Sequence, residues 1–374
     1  MQAENNPTSA SLSSEEEAAA TEGEQTEERS DYKGSFHTHR QYLSALTSTI
    51  RQHYGGRALF IAPYKVSAGL VSAYREIQPE LGLQQRRVDE AALRRVLMSA
   101  WGTEFMLWSS GQMASDEEQE SLALANQWGV VQAYYACAYV AQALAIAKGN
   151  PRPDSHPKTQ NLFVHLWVDS YRMFPPWSLA VDSSGILNVP SGIAIEKVHP
   201  WAGIDGRTCW SLDALVLSST RRQVLEERVV RRKLELQAAK RRAFRTEQAA
   251  RNAAGRRILK DREFAKPRLT GDDRRSLDRG MRATSVLDYL YRLRIRSHYD
   301  DPGVFFEGPE DASDAGALHR DLKSLISWTF LLHELLVVEL AGKDAFQRTV
   351  DGWFKNPVAA SAGFGLRRRL DWLL

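Results

Sequence analysis

Residues 285–301 read SVLDYLYRLRIRSHYDD, and the reading of this stretch governs the rest of the chain. Apolar residues recur at Val286, Leu287, Leu290, Leu293 and Ile295, with Tyr289 between them, a spacing that predicts a helix. Ser285 and Asp288 form a capping box with Asp in the usual Glu position, so the helix starts near Ser285 and Pro302-Gly303 stops it. Its polar residues are Arg292, Arg294 and Arg296, followed by His298, the densest arginine cluster beside any histidine of the sequence. Arg294 and His298 stand four apart and can share a face. Such a face is either a solvated basic stripe or a seat for phosphate.

Upstream, Arg221–Arg282 carries 21 Lys/Arg against nine Asp/Glu. Large apolar residues are few, so Arg221–Arg262 predicts a long exposed helix. Leu225, Val229, Leu234, Leu236 and Ile258 keep no heptad register, which argues against a coiled coil. Arg231, Arg232, Lys233, Lys240, Arg241 and Arg242, together with Arg296, are the candidate contacts to a nucleic-acid backbone. The competing reading is a solvated helix held by its own pairs, Glu226–Arg222, Glu235–Arg231 and Glu247–Arg251. With Phe244 and Phe264 the only aromatics here, contact would be electrostatic and sequence-independent. Met1–Ser30, with eight Glu against one Arg, is a candidate competitor for the patch in cis.

Ser115–Lys148 is expected to form one helix, capped by Ser115 with Glu118, stopped by Gly149-Asn150-Pro151 and kinked at Gly129. Between Gly129 and Ala147 its only plainly polar side chains are Gln132 and Gln142, which makes it the core helix, packed on several sides. Further helices are expected over His39–Tyr54, Pro63–Ile77, Val88–Trp108, Thr159–Phe174 and Ser313–Ala341. Trp177–Trp210, with scattered β-like residues among Gly and Pro, reads as a loop or small hairpin. The organisation is then a disordered acidic tail (1–34), an N-terminal helical region (35–110), the first half of a bundle (111–176), an insertion (177–282), the second half of the bundle (283–343) and short C-terminal helices (344–374).

At 374 residues, 43% hydrophobic and 25% charged, the chain has the composition of a soluble globular protein. Cys137 and Cys209 are its only cysteines and form no C-x-x-C, which fits a reducing compartment. The N-terminus has no hydrophobic signal segment, and the apolar run Leu325–Ala341, interrupted by His333, Glu334 and Glu339, reads as a core helix rather than a membrane span. A cytoplasmic protein without membrane contact is expected. No P-loop, dinucleotide fingerprint, H-E-x-x-H or G-x-S-x-G occurs, which argues against the enzyme classes built on those motifs. His37-x-His39 has no Cys or acid nearby and reads as exposed polar residues, so neither metal nor cofactor is expected. His156 is expected to hydrogen-bond backbone and His333 to be a satisfied core residue, while His53, His165, His199 and His319 have no partner at metal-site spacing.

Two blocks together resemble the HEPN superfamily of four-helix proteins. One is Trp128–Gly149, with paired aromatics and small residues, leading into Ser155-His156-Pro157-Lys158; the other is Tyr289–Phe305. The helix over Ser313–Ala341 looks like the family's last helix. The resemblance implies a mainly all-α chain: a HEPN-like four-helix bundle core, extra N-terminal helices and a long basic helical insertion. It also implies a homodimer through that core. Many such proteins are metal-independent endoribonucleases of toxin or antiphage type, sometimes held by an antitoxin partner, with an Arg followed after four to six residues by His. Arg292 and His298 enclose five residues, although Leu293 stands where a polar residue is usual. Others in the family are catalytically silent modules that bind nucleic acid or a partner protein, and Arg294 with His298-Tyr299 resembles their pattern.

The chemistry matches either reading. Cleavage of RNA without metal needs a base, which a histidine supplies near neutral pH, and cations for the charged phosphate, which arginine supplies as a planar fork. His298 is the candidate base, with Arg292 and Arg294 the candidate phosphate-binding cations. Six residues along an ideal helix leave Arg292 and His298 about 120° apart, so they meet only if the helix ends near Arg296; Arg294 is the better-placed partner if it continues.

Overall fold

The computed structural model describes residues 14–56, 62–113, 119–257, 264–265, 267–357 and 365–374, with side chains from residue 31 onward except 113, 119 and 120. Helix α4 (Gln119–Ala147) is the centre of the packing. Ala133, Ala136, Ala141, Ala143 and Ala147 have no exposed surface, and such small side chains let neighbouring helices approach closely. Helices α3 (Glu90–Met113) and α10 (Ala312–Ala341) pack along it, and α8 (Val286–Ile295) lies against another side. At Gly129 an added Cβ would stand 3.4 Å from Leu107 and 3.6 Å from Leu322. The glycine therefore marks where three helices meet, and α4 runs through it without a break. Ser115 and Glu118 lie outside the described residues.

Helix α1 (Ser14–Gly55) is longer than its apolar pattern foretells. Residues 1–13 lie outside the described part, but from Ser14 the segment read as a disordered tail is helical. The half from Phe36 to Tyr54 is anchored by buried Phe36, Leu43, Leu46 and Ile50, and a nucleated helix propagates readily into Glu- and Ala-rich sequence. The boundary placed at residue 34 also fails on packing. At Gly303 a Cβ would lie 2.6 Å from the Tyr32 ring, so that glycine lets α1 seat against α9 (Gly303–Phe306). Helix α2 (Pro63–Ile77) spans the residues expected and folds back on α1.

Helix α5 (His156–Phe163) continues as a π-helical segment, Val164–Ser170. Strands β1 (Ala180–Asp182) and β2 (Gly185–Leu187) then pair antiparallel, with Val181 opposite Ile186. A third strand, β3 (Thr284–Ser285), pairs on the other side of β1, giving the order β2-β1-β3. Because β3 leads directly into α8, the small sheet fixes where that helix begins. The expected cap is present: Asp288 accepts from the Ser285 backbone N–H at 2.8 Å and from its hydroxyl at 2.9 Å.

Helix α6 (Thr208–Ala253) begins inside the segment read as a loop, and its first part is core: Trp210, Leu212, Val216 and Leu217 are buried. Only beyond Arg221 does it become the exposed basic helix of the sequence reading, and Ile258 and Arg262 lie outside the described residues. Of its expected internal pairs, Glu247–Arg251 forms at 3.0 Å. Glu235 pairs instead with Arg232 at 3.4 Å, and Glu226 with Arg274 of α7 (Gly271–Arg279). The chain finishes with α11 (Lys343–Phe354) and α12 (Leu366–Leu373). Two helices, over Ser121–Ala147 and Ala312–Ala341, are long and apolar enough to cross a membrane, but 83% of the apolar window of each is buried within the protein. The architecture is mainly all-α.

Candidate functional site

The arginines of α8 go to two sides because two residues turn a helix by about 200°. Arg294 faces α4. Its guanidinium carbon lies 5.2 Å from the centre of the Tyr135 ring, 5.7 Å from Tyr291 and from Tyr299, and 5.9 Å from Tyr134. The residue is 7% exposed, its Nε meets no hydrogen-bond partner, and among the described residues no carboxylate pairs with it. Ring faces carry negative quadrupole, so four tyrosines replace part of the solvation a guanidinium loses on burial. They supply no counter-charge.

Around this cation runs a strip of rings. On α4, Trp128, Gln132, Tyr135 and Tyr139 recur at helical spacing on one face, and Trp128 is 53% exposed. The Tyr135 and Tyr139 rings stack at 5.9 Å. His156, at the start of α5, lies 5.8 Å from Tyr135 and 5.4 Å from Tyr291 between ring centres, with its Nδ1 2.7 Å from the Tyr134 hydroxyl. The backbone bond expected for His156 is thus replaced by a tyrosine partner. Burial, then the Arg294 charge, lower its pKa below the ordinary histidine value, which keeps it neutral beside the guanidinium.

The strip continues past the end of α8, where Arg296–Asp300 forms a π-helical turn. Ser297 donates to the Gln127 carbonyl and ties this turn to α4. The turn presents His298 and Tyr299 outward, their rings 4.4 Å apart, with His298 also 5.3 Å from Trp128 and Tyr299 63% exposed. Arg294 and His298 therefore belong to one surface, joined through Tyr299.

Arg292 does not. It faces α6, pairs with Glu227 at 2.6 Å and is 14% exposed, so within one chain the Arg292–His298 pairing is not assembled. Arg296 also leaves the strip: it pairs with Asp301 at 3.1 Å and reaches His39 on α1 at 3.4 Å. Of the α6 cations, Arg231, Arg232, Lys240, Arg241 and Arg242 are exposed and Lys233 is half-buried, all on the outer part of the helix. The strip's other members, Tyr134, Tyr135, Trp128 and His156, lie in the segments that carry the family resemblance but were not among the candidate site residues. The signal was the paired tyrosines of a helix otherwise made of small residues.

Of the remaining histidines, His333 serves the fold. His333 accepts from Trp167 Nε1 at 2.9 Å and lies 2.7 Å from the Thr329 carbonyl, and burial drives its pKa down to about 3. His37 packs edge-on to Trp201, while His39 turns inward to stack on Phe305, so the two part company and His39 is not the exposed residue expected. Among the described residues no group of three or more metal-ligating side chains converges. Comparison with protein-family models, with curated proteins and with solved structures finds nothing that matches this chain.

Proposed function

We propose that the protein acts on RNA by holding a single-stranded segment along the strip between α4 and α8. Arg294 takes a phosphate, and the exposed faces of Trp128 and Tyr299 take bases. The observation that carries this reading is Arg294, 7% exposed among four tyrosines with no carboxylate partner among the described residues. Burying a charge without a counter-ion is unfavourable for folding alone, and an arriving phosphate completes the arrangement with charge-assisted hydrogen bonds. Base stacking on exposed rings adds about 1–3 kcal/mol per base. The elements bearing the HEPN resemblance, α4, α5, α8 and α10, are the proposed HEPN-like core of this RNA-directed protein.

Cleavage is a second reading, favoured by one observation: His298 stands exposed and is linked through Tyr299 to Arg294. His298 would then be the base and Arg294 the cation, with a second copy of the chain supplying another set across a two-fold axis.

Fluorescence anisotropy with a single-stranded RNA oligonucleotide tests the first reading. Binding is expected for the wild type, with Arg294→Gln and Tyr299→Ala each at least about tenfold weaker. Equal affinity in a folded Arg294→Gln protein would sink the proposal. Incubation of the same RNA in EDTA with wild type and His298→Ala tests the second: products from the wild type alone support cleavage, and intact RNA with both leaves a binding module.

A further inference from the structure

On the opposite side of α8 from the strip lies a cavity of about 310 Å³, walled by α1 and α6. That volume is at the lower end of those that hold small organic ligands. Every side chain lining it bears a polar group, no carboxylate is among them, and its two permanent charges are Arg292 and Arg296. Arg292 near the end of α8 and Arg296, one turn further on at the start of the π-helical turn, both line this space. Two planar forks at that separation suit the several oxygens of a terminal phosphate.

The facing walls differ in character from the arginines. Ser35 and Thr38 come from α1, Ser219 and Gln223 from α6; Thr38 and Ser219 already donate to the Gly34 and Val216 carbonyls, so Ser35 and Gln223 are the pair that offers donors and acceptors to hydroxyl groups. His39 adds a neutral ring, since burial and then the Arg296 charge push its pKa down to about 3. Two polar atoms of the lining residues, His39 Nδ1 and Arg292 Nε, are covered yet have no partner. Folded proteins pair nearly all such atoms, so this wall holds more polar groups than the packing satisfies. The arginines are steadied at the rim by Glu227 and Asp301. Glu227 is 53% exposed, so it can swing into solvent and leave Arg292 to an anion entering the cavity.

We infer that this cavity is a binding site for a small phosphomonoester, its phosphate held between Arg292 and Arg296 and its hydroxyl groups by the α1 and α6 side chains. The site is separate from the RNA strip and does not depend on that reading, because Arg294 is not among its lining residues. A 5′-phosphorylated RNA end carries the same group and is the alternative source of it.

The test is calorimetric titration of the full chain with ribose 5-phosphate, with ribose as control. Binding of the phosphate and not of ribose is expected. It should weaken at least about tenfold in Arg292→Gln, a loss of one charge-assisted fork, weaken less in Gln223→Ala, and persist in Arg294→Gln. Gln223 is exposed, so its variant remains informative if Arg292→Gln fails to fold. Tighter binding of a 5′-phosphorylated than a 5′-hydroxyl oligonucleotide, lost in Arg292→Gln, would support the site and assign its phosphate to an RNA end. No heat and no thermal stabilisation with millimolar ribose 5-phosphate, inorganic phosphate or the phosphorylated oligonucleotide would overturn the inference. So would wild-type affinity in both folded variants.

Discussion

Arg369 and Arg294 are both buried, and they are buried in opposite ways. Arg369, on α12, meets Glu104 through two bonds of 2.5 and 2.9 Å and Glu334 through two of 2.7 and 2.9 Å. Trp101 adds a bond of 2.8 Å to Glu334. Arg294 has four ring faces and, among the described residues, no carboxylate. The charge of Arg369 is neutralised within the fold, whereas that of Arg294 is left, on the proposed reading, for a phosphate to neutralise. Asp213 shows a third solution. Both its oxygens are covered and without a hydrogen-bond partner. Burial raises its pKa well above the carboxylate range, and it survives by holding its own proton.

The contrast is broken most severely at Arg369. Arg369→Ala leaves Glu104 and Glu334 buried without counter-charge and should lower stability by about 3–5 kcal/mol, read from urea unfolding. A loss no larger than that of an exposed arginine would equate the two sites. Asp213→Asn should instead stabilise, by about 1–3 kcal/mol at neutral pH. The sign follows from the raised pKa: the native state keeps a proton the unfolded state releases. Wild-type stability therefore falls as pH rises above the unfolded carboxyl value, about 4, towards the raised native one, and the advantage of Asn should vanish in acid. Thermal melts of both proteins across that range check this. Arg294→Met should leave stability within about 1 kcal/mol of wild type, since a methionine fills the stem's space and no carboxylate is stranded. RNA binding by the same variant should fall about tenfold, near 1.4 kcal/mol. The smallest effect is expected from Arg241→Gln with Arg242→Gln, which should flatten the salt dependence of RNA binding by about two counterions without altering stability.

What the sequence disclosed was local. The cap of α8 at Ser285 and Asp288, the span of α2 and the apolar character of α4 are carried by residues within a few positions of one another, where helical periodicity speaks directly. Arg294 could be named from its neighbours, but not its surroundings, because Tyr134 and Tyr135 arrive from a distant helix. The partner of Arg292 was hidden for the same reason: nothing near it in the chain announces that Glu227 of α6 pairs with it. The extent of α1 escaped because Glu-rich sequence is equally at home in solvent as coil or as helix, and the choice is made by the packed half. Arg369 looked like one of three basic residues in a row until Glu104 and Glu334, from two other helices, closed on it.

That closure also imposes an order in time. α12 follows every other described element, so on the ribosome Glu104 and Glu334 are synthesised long before the residue that answers them. Until Arg369 emerges, two carboxylates destined for the interior lack their counter-charge, and burial raises the pKa of Glu334 even in the finished fold. The ion pairs that neutralise the two carboxylates are thus completed only once Arg369 has been made.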